Sequence, residues 1–81
     1  MKKSIYSNNY KYLLQLLVMT RKIKNVTQKD IADKLEYPQC VISRIETGER
    51  RIDVVEFIEI ANAIGCDPLT LLEELIKNWK S

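Results

Sequence analysis

The stretch TQKDIADKLEYPQCVISRIETGER, residues 27–50, decides the fold. Thr27 is a natural helix cap, and Asp30 stands at the third helical position, where a carboxylate suits the unpaired amides of a helix start. The apolar side of this helix is formed by Ile31, Ala32 and Leu35. Pro38 disfavours helical geometry at the residue before it, so a corner should separate this helix from a second one over about residues 39–47.

The second helix of this stretch has two different sides. Val41, Ile42 and Ile45 are spaced to face inward. By the rotation of 100° per residue, the opposite arc carries Gln39, Cys40, Ser43, Arg44 and Thr47. Gly48 ends the helix. A polar arc of this kind is either an ordinary solvated face or a surface that contacts another molecule.

Three further helices are predicted around this pair. The first runs from about Asn8 to Lys24, is capped by Ser7 or Asn8, and carries two apolar stripes, Tyr10-Leu13-Leu14-Leu17-Arg21 and Tyr12-Leu16-Met19-Ile23. Asp53 caps a fourth helix, which ends at Gly65 and has a core face of Val54, Phe57, Ile60, Ala61 and Ile64. Asp67-Pro68 opens a fifth, about 68–80, with an apolar side of Leu69, Leu72, Leu75, Ile76 and Trp79. We therefore expect an all-α, five-helix domain that covers residues 1–81.

Composition excludes several kinds of function. The chain has no histidine, and Cys40 and Cys66 stand alone, so no four-ligand metal set exists and both residues are expected to be free thiols. There is no glycine-rich phosphate loop and no nucleophile–base pair, so we expect neither an enzyme nor a cofactor. No apolar run reaches the roughly 18 residues of a membrane span, and no signal peptide opens the chain. We expect a soluble, cytoplasmic protein without an evident small-molecule ligand.

Charge is distributed unevenly along the chain. Residues 1–51 hold 11 Lys/Arg and 5 Asp/Glu, a net charge of +6, whereas residues 52–81 hold 2 Lys and 6 Asp/Glu, a net charge of −4. A basic front and an acidic back suit a protein that turns one side toward a polyanion, although so short a chain can segregate charge by chance.

Residues 27–50 also resemble a known family. Thr27, Gln28, Ile31, Ala32, Ile42, Ser43, Ile45, Glu46, Gly48 and Arg50 match the pattern of the Cro/CI-type (XRE-family) helix-turn-helix proteins. The similarity extends over about residues 10–75 and includes IANAIGCDP, residues 60–68. It implies a lambda-repressor-like fold and binding of double-stranded DNA by a small transcriptional regulator, prokaryotic or phage-encoded. In length the chain is similar to phage repressors and to restriction–modification controller proteins.

The resemblance assigns roles to individual residues. Arg21 and Glu46 hold the positions of an internal ion pair, which is a structural strut. Direct base contact is expected from Gln39, Cys40, Ser43 and Arg44, because short or bidentate polar groups on a major-groove helix distinguish base edges. Phosphate contact is expected from Gln28, Lys29, Thr47, Arg50 and Arg51, for which simple surface charge is the alternative.

Two positions depart from the family pattern. Glu36 stands where the family usually has glycine, so either this residue adopts a strained left-handed conformation, at a cost of about 1 kcal/mol, or the turn differs. Cys40 stands where a polar residue is commoner. It can contact a thymine methyl group or fill space, and a thiol beside Arg44 could instead sense oxidants.

A homodimer is expected, because one helix reads too few base pairs to select a site in a genome. We expect its interface on the fourth and fifth helices, at Val55, Ile58, Leu71, Leu75 and Trp79. The alternative is that the fifth helix packs on the second stripe of the first helix. The competing function is an antitoxin-like protein-interaction module with secondary DNA binding, which Trp79 near the end of the chain would suit.

Overall fold

Short capping sequences set the first turn of four of the helices in the described residues. The computed structural model describes residues 7–80, and in that range the chain forms five α-helices and no strand, so the all-α prediction is confirmed. The helices are α1 Asn8–Ile23, α2 Gln28–Leu35, α3 Gln39–Thr47, α4 Val54–Ile64 and α5 Pro68–Lys77. The last helix ends three residues before the predicted boundary at 80, and α1 ends one residue before Lys24.

Each predicted cap accepts the hydrogen bond that a helix start requires. The Ser7 side chain accepts from the Tyr10 amide, and Asp67 accepts from the Leu69 amide. Capping boxes, in which the cap and the third helical residue bond each other reciprocally, begin α2 at Thr27 and α4 at Asp53. Only α3 begins without a side-chain cap, since its cap position is Pro38.

The corner between α2 and α3 keeps its left-handed residue although that residue is not glycine. Glu36 has φ 59° and ψ 38°, and its amide donates to the Ala32 carbonyl oxygen at the end of α2. A β-carbon makes this conformation unfavourable by about 1 kcal/mol, so the corner keeps a left-handed residue at that cost. Asn25, at φ 57°, ends the α1 turn in the same way.

The core lies where α1, α2, α3 and α4 meet. Leu17, Ile31, Ile42 and Ile45 are its largest fully buried side chains, and Ala32, at 3% exposed, allows the close approach of α2 to its neighbours. The core residues predicted for α4 are buried, with one exception. Val54, at the first position of α4, is 74% exposed and lies outside the core.

The buried side of α5 differs from the prediction. Leu71 and Leu75 are only 5% and 8% exposed, because α5 packs on α1 and α4 with this arc inward. Both residues therefore belong to the core of the protomer, which corrects their assignment to a dimer interface. The exposed apolar arc of α5 instead consists of Leu69, Ile76 and the half-buried Leu72, and the exposed Trp79 follows two residues after the end of the helix.

The second apolar stripe of α1 is covered only in part. Asn9 exchanges hydrogen bonds with the backbone of Lys80, and the Lys24 ammonium donates to the Gly65 carbonyl oxygen, so α5 lies antiparallel along α1. Tyr12 and Leu16 are half-buried, whereas Met19 and Ile23 remain exposed.

Within residues 7–80 no helix is both long and apolar enough to cross a membrane.

Candidate nucleic-acid interface

The outer arc of α3 is the polar surface that the fold leaves open. Because α3 packs on α1 and α2 through the fully buried Ile42 and Ile45, its opposite side faces away from the protein. The four residues predicted to contact bases all lie on this arc: Gln39, Cys40 and Arg44 are exposed, and Ser43 is half-buried.

The polar groups of this arc are largely unpartnered. Within the described part of the chain, the hydrogen bonds include none made by the side chains of Gln39, Ser43 or Arg44. Thr47 is different, since its hydroxyl lies 3.2 Å from the Arg44 carbonyl oxygen and 3.1 Å from a Glu49 carboxylate oxygen. Three donor-bearing side chains on one helical arc can thus contact another molecule without breaking internal bonds.

A nearly buried ion pair stands behind α3. Arg21 Nε lies 2.7 Å from Glu46 Oε2 and Arg21 Nη2 lies 2.9 Å from Glu46 Oε1, while Nη1 donates to the Val26 carbonyl oxygen at 3.1 Å. The two side chains are 11% and 10% exposed. This geometry ties the end of α3 to α1 and to the loop before α2, and it makes both residues part of the scaffold.

The start of α2 is held to the same carboxylate. Gln28 Nε2 donates to Glu46 Oε1 at 2.8 Å, so one hydrogen of the Gln28 amide is already used. Lys29 lies on the exposed side of α2 and pairs with Asp33 at 2.8 Å, and this bond raises the pKa of Lys29. The capping box engages the amide of Asp30, so the two amides before it, those of Gln28 and Lys29, have no acceptor within the helix.

The two arginines after α3 have internal partners that the sequence pattern did not indicate. The Arg50 guanidinium binds both carboxylate oxygens of Glu56, at 3.0 and 2.6 Å. This contact raises the pKa of Arg50 and lowers that of Glu56. Arg51 stacks on the Tyr10 ring at 4.7 Å from its centroid. Both residues thus have a structural role besides any contact with phosphate.

Sequence reasoning also missed the hydrogen bonds that two tyrosine hydroxyl groups make. The Tyr37 hydroxyl, in the corner before α3, donates to Glu59 Oε1 on α4 at 2.7 Å, and this bond raises the pKa of Tyr37. The Tyr10 hydroxyl accepts from the Ile52 amide at 2.9 Å inside the protein. The only available signal for Tyr37 was an aromatic residue in an otherwise polar corner.

Neither cysteine forms a disulfide. Cys40 is exposed at the second position of α3 and Cys66 is half-buried after α4. Among the residues that the structure describes, no group of three His, Cys, Asp or Glu side chains is placed to hold a metal ion.

Two short helices joined by a left-handed corner, with an open polar arc on the second, define a helix-turn-helix domain. The sequence profile of the HTH_3 helix-turn-helix family matches residues 19–71. An XRE-family like protein from Pseudomonas syringae pv. tomato str. DC3000 has a similar structure, with a TM-score of 0.85, 40% sequence identity, and coverage of 89% of this chain and 88% of that one. No curated protein matches the chain.

The chain belongs to the XRE family of helix-turn-helix proteins, as the resemblance of residues 27–50 predicted. Its fold is accordingly that of a DNA-binding regulator.

Proposed function

We propose that the protein is a sequence-specific transcriptional regulator that binds double-stranded DNA as a homodimer, with α3 in the major groove. The observation that carries this proposal is the outer arc of α3, on which Gln39, Ser43 and Arg44 have polar side chains without protein partners. The major groove admits an α-helix and displays a different donor and acceptor pattern for each base pair.

The chemistry of the arc suggests what each residue contacts. Gln39 can bond both edge atoms of an adenine, and Arg44 can do the same with a guanine, each pair discriminating by about 1–3 kcal/mol. Cys40 suits contact with a thymine methyl group, and Ser43 can reach a base or a phosphate. The base contacts we propose are therefore these four residues.

Phosphate contacts are proposed at both ends of the helix-turn-helix. Gln28 and Lys29 stand at the start of α2, where outward amides and the helix dipole favour an anion. Thr47 and the two arginines that follow α3 would contact the strand at the other end. Arg50 is 42% exposed while it binds Glu56, so its outer edge remains accessible.

Selection of bound sites from random DNA tests this function directly. We expect two related half-sites about 34 Å apart, one turn of DNA. Arg44→Ala should weaken binding and relax the preference at one base pair, whereas Lys29→Ala should weaken all sequences alike and reduce the slope of log K against log salt by about one unit. Equal behaviour of the two variants would overturn the division of roles, and enrichment of no sequence at all would overturn the proposed function.

A homodimer is supported by the exposed apolar arc of α5. Leu69, Leu72 and Ile76 are spaced three and four residues apart on α5, which is the spacing of a helix–helix seam, and Trp79 follows just beyond the end of the helix. Leu69 and Ile76 are each 68% exposed. Trp79 lines a cleft together with Tyr10, Leu13 and Arg51, and Val55 and Ile58 are exposed on α4. Exposed apolar side chains of this kind suit contact with a second copy of the chain.

Sedimentation of an α5 variant and a matched α1 variant tests the dimer. Ile76→Asp should give a monomer at micromolar concentration, because it buries a carboxylate in the seam. Ile23→Asp changes an equally exposed isoleucine of α1 and should leave the dimer intact. A wild-type protein that sediments as a monomer at micromolar concentration would contradict the dimer.

The same apolar arc is the observation that favours a second candidate function. An antitoxin-like interaction module would use the exposed Trp79 and its α5 neighbours to bind a different protein. Stoichiometric co-purification with an unrelated protein, abolished by Ile76→Asp, would support this candidate over the homodimer.

A further inference from the structure

The support that α4 gives to α3 includes contacts with the loops on either side of it. In the described residues no Cα atom of α3 lies within 8 Å of one in α4, although both helices contribute side chains to the same core. In addition, two side chains of α4 bind the loops on either side of α3. Glu59 accepts from the Tyr37 hydroxyl in the loop before it, at 2.7 Å, and Glu56 binds the Arg50 guanidinium in the loop after it.

The two carboxylates are placed together by the helix they share. Glu56 and Glu59 are three residues apart on α4, so they lie on the same face. Four residues further on, the Ala63 carbonyl oxygen accepts from Lys34 of α2 at 3.2 Å. One face of α4 thus contacts the end of α2, the corner and the loop after α3.

Each of these two contacts includes a residue that is held in place by a further hydrogen bond. Glu56 also accepts from the Asp53 amide in the α4 capping box, which fixes its rotamer. Tyr37 is half-buried, its backbone amide donates to the Ala32 carbonyl oxygen, and it immediately precedes the first residues of α3. A shift of the hydroxyl relative to Glu59 would therefore be transmitted over a single residue, Pro38, to Gln39 on the reading arc.

We propose that Glu59 and Glu56 are positioning residues for α3, which act through Tyr37 and Arg50 to fix the orientation in which the reading arc is presented to DNA. The inference rests on the proposed function and deepens it. Neither glutamate contacts DNA itself. A small reorientation of a helix displaces all of its bidentate base contacts together, so these bonds affect the selected site more than unrelated DNA.

Removal of a single oxygen atom tests the inference. Tyr37→Phe should weaken binding of the selected site about three- to tenfold, while binding of unrelated DNA and the urea midpoint change little. Tyr12→Phe, which removes the same atom from a half-buried tyrosine of α1, should leave all three quantities unchanged. Equal loss on selected and unrelated DNA, or no loss on either, would overturn the positioning role.

Variants of the acceptor complete the test. Glu59→Gln keeps an oxygen that can accept from Tyr37 and should bind like wild type, whereas Glu59→Ala should resemble Tyr37→Phe. The double variant Tyr37→Phe/Glu59→Ala should be no weaker than either single variant, since both remove one bond. Additive losses of affinity in the double variant would show that Tyr37 and Glu59 act independently, and would contradict the inference.

A measurement without DNA separates this inference from the proposed function. In amide NMR spectra of the free protein, Tyr37→Phe and Glu59→Ala should shift the same α3 signals, including those of Ser43 and Arg44, and Tyr12→Phe should not. Unchanged α3 signals would overturn the inference even if the wild type selects a DNA site. Shifted signals in a protein that selects no DNA would instead overturn the proposed function alone.

Discussion

The ion pair behind α3 predicts a large loss of stability when one partner is removed. In Glu46→Ala, three donors lose their acceptor: Arg21 Nε, Arg21 Nη2 and Gln28 Nε2. The Arg21 side chain is only 11% exposed and is also bound to the Val26 carbonyl oxygen, so it cannot simply turn into water. An unpaired charge at such a site costs about 3–5 kcal/mol.

That loss is a substantial part of the free energy of unfolding expected for a chain of this size. At roughly 0.05–0.15 kcal/mol per residue, its free energy of unfolding should be about 4–12 kcal/mol. Urea unfolding followed by circular dichroism measures the change. Glu73→Ala, which removes an exposed carboxylate of α5, is the control and should change the free energy of unfolding by less than about 0.5 kcal/mol.

A double variant distinguishes the cost of an unpaired buried charge from the cost of lost packing. Replacing both partners by apolar residues, Arg21→Met with Glu46→Leu, should cost far less than the sum of the two single changes, because no charge is left unpaired. The reasoning is refuted if Glu46→Ala costs less than about 1 kcal/mol, the value of a solvated surface pair, or if the double variant costs the full sum.

Three further predictions concern stability. Glu36→Gly should raise the free energy of unfolding by up to about 1 kcal/mol in urea titrations, since glycine adopts φ 59° without strain; a destabilised variant would contradict this. Because Arg50 lowers the pKa of Glu56 in the folded protein, this pair stabilises the fold above the ordinary pKa of a glutamate, and the stabilisation is lost as the pH falls through the lowered pKa. The unfolding free energy of Glu56→Gln should therefore change less between neutral and acidic pH than that of wild type; parallel pH curves would refute this. Leu71→Ala should cost about 2–5 kcal/mol at any protein concentration, as expected for a core residue and not for an interface residue; a cost that appears only where the protein associates would restore the original assignment.

Local rules account for the helix boundaries. A cap and the amide that it satisfies are two or three residues apart, as at Ser7, Thr27, Asp53 and Asp67, so the sequence shows them directly. For Glu36 the resemblance to the family left two alternatives, a strained left-handed residue or a different turn, and the structure decides for the first.

Helical periodicity was sufficient to predict the buried side of a helix where only one arc was apolar. In α3 the aliphatic residues and the polar residues occupy opposite sides, and the exposed arc followed from the sequence. In α5 both Leu71-Leu75 and Leu69-Leu72-Ile76-Trp79 are apolar arcs, and periodicity could not choose between them. The choice depends on which arc meets α1 and α4.

The sequence by itself determined that this is an XRE-family helix-turn-helix protein, which arc of α3 is open, and where each helix begins. Only the tertiary structure decided that Leu71 and Leu75 are core, that Arg50 binds Glu56, and that Tyr37 joins the corner to α4. The physical reason is that these contacts join different elements of the fold. Caps and periodicity act within one helix, whereas the Tyr37–Glu59 contact spans 22 residues and Arg50 binds Glu56 from a loop outside α4, so both contacts exist only once the chain has packed.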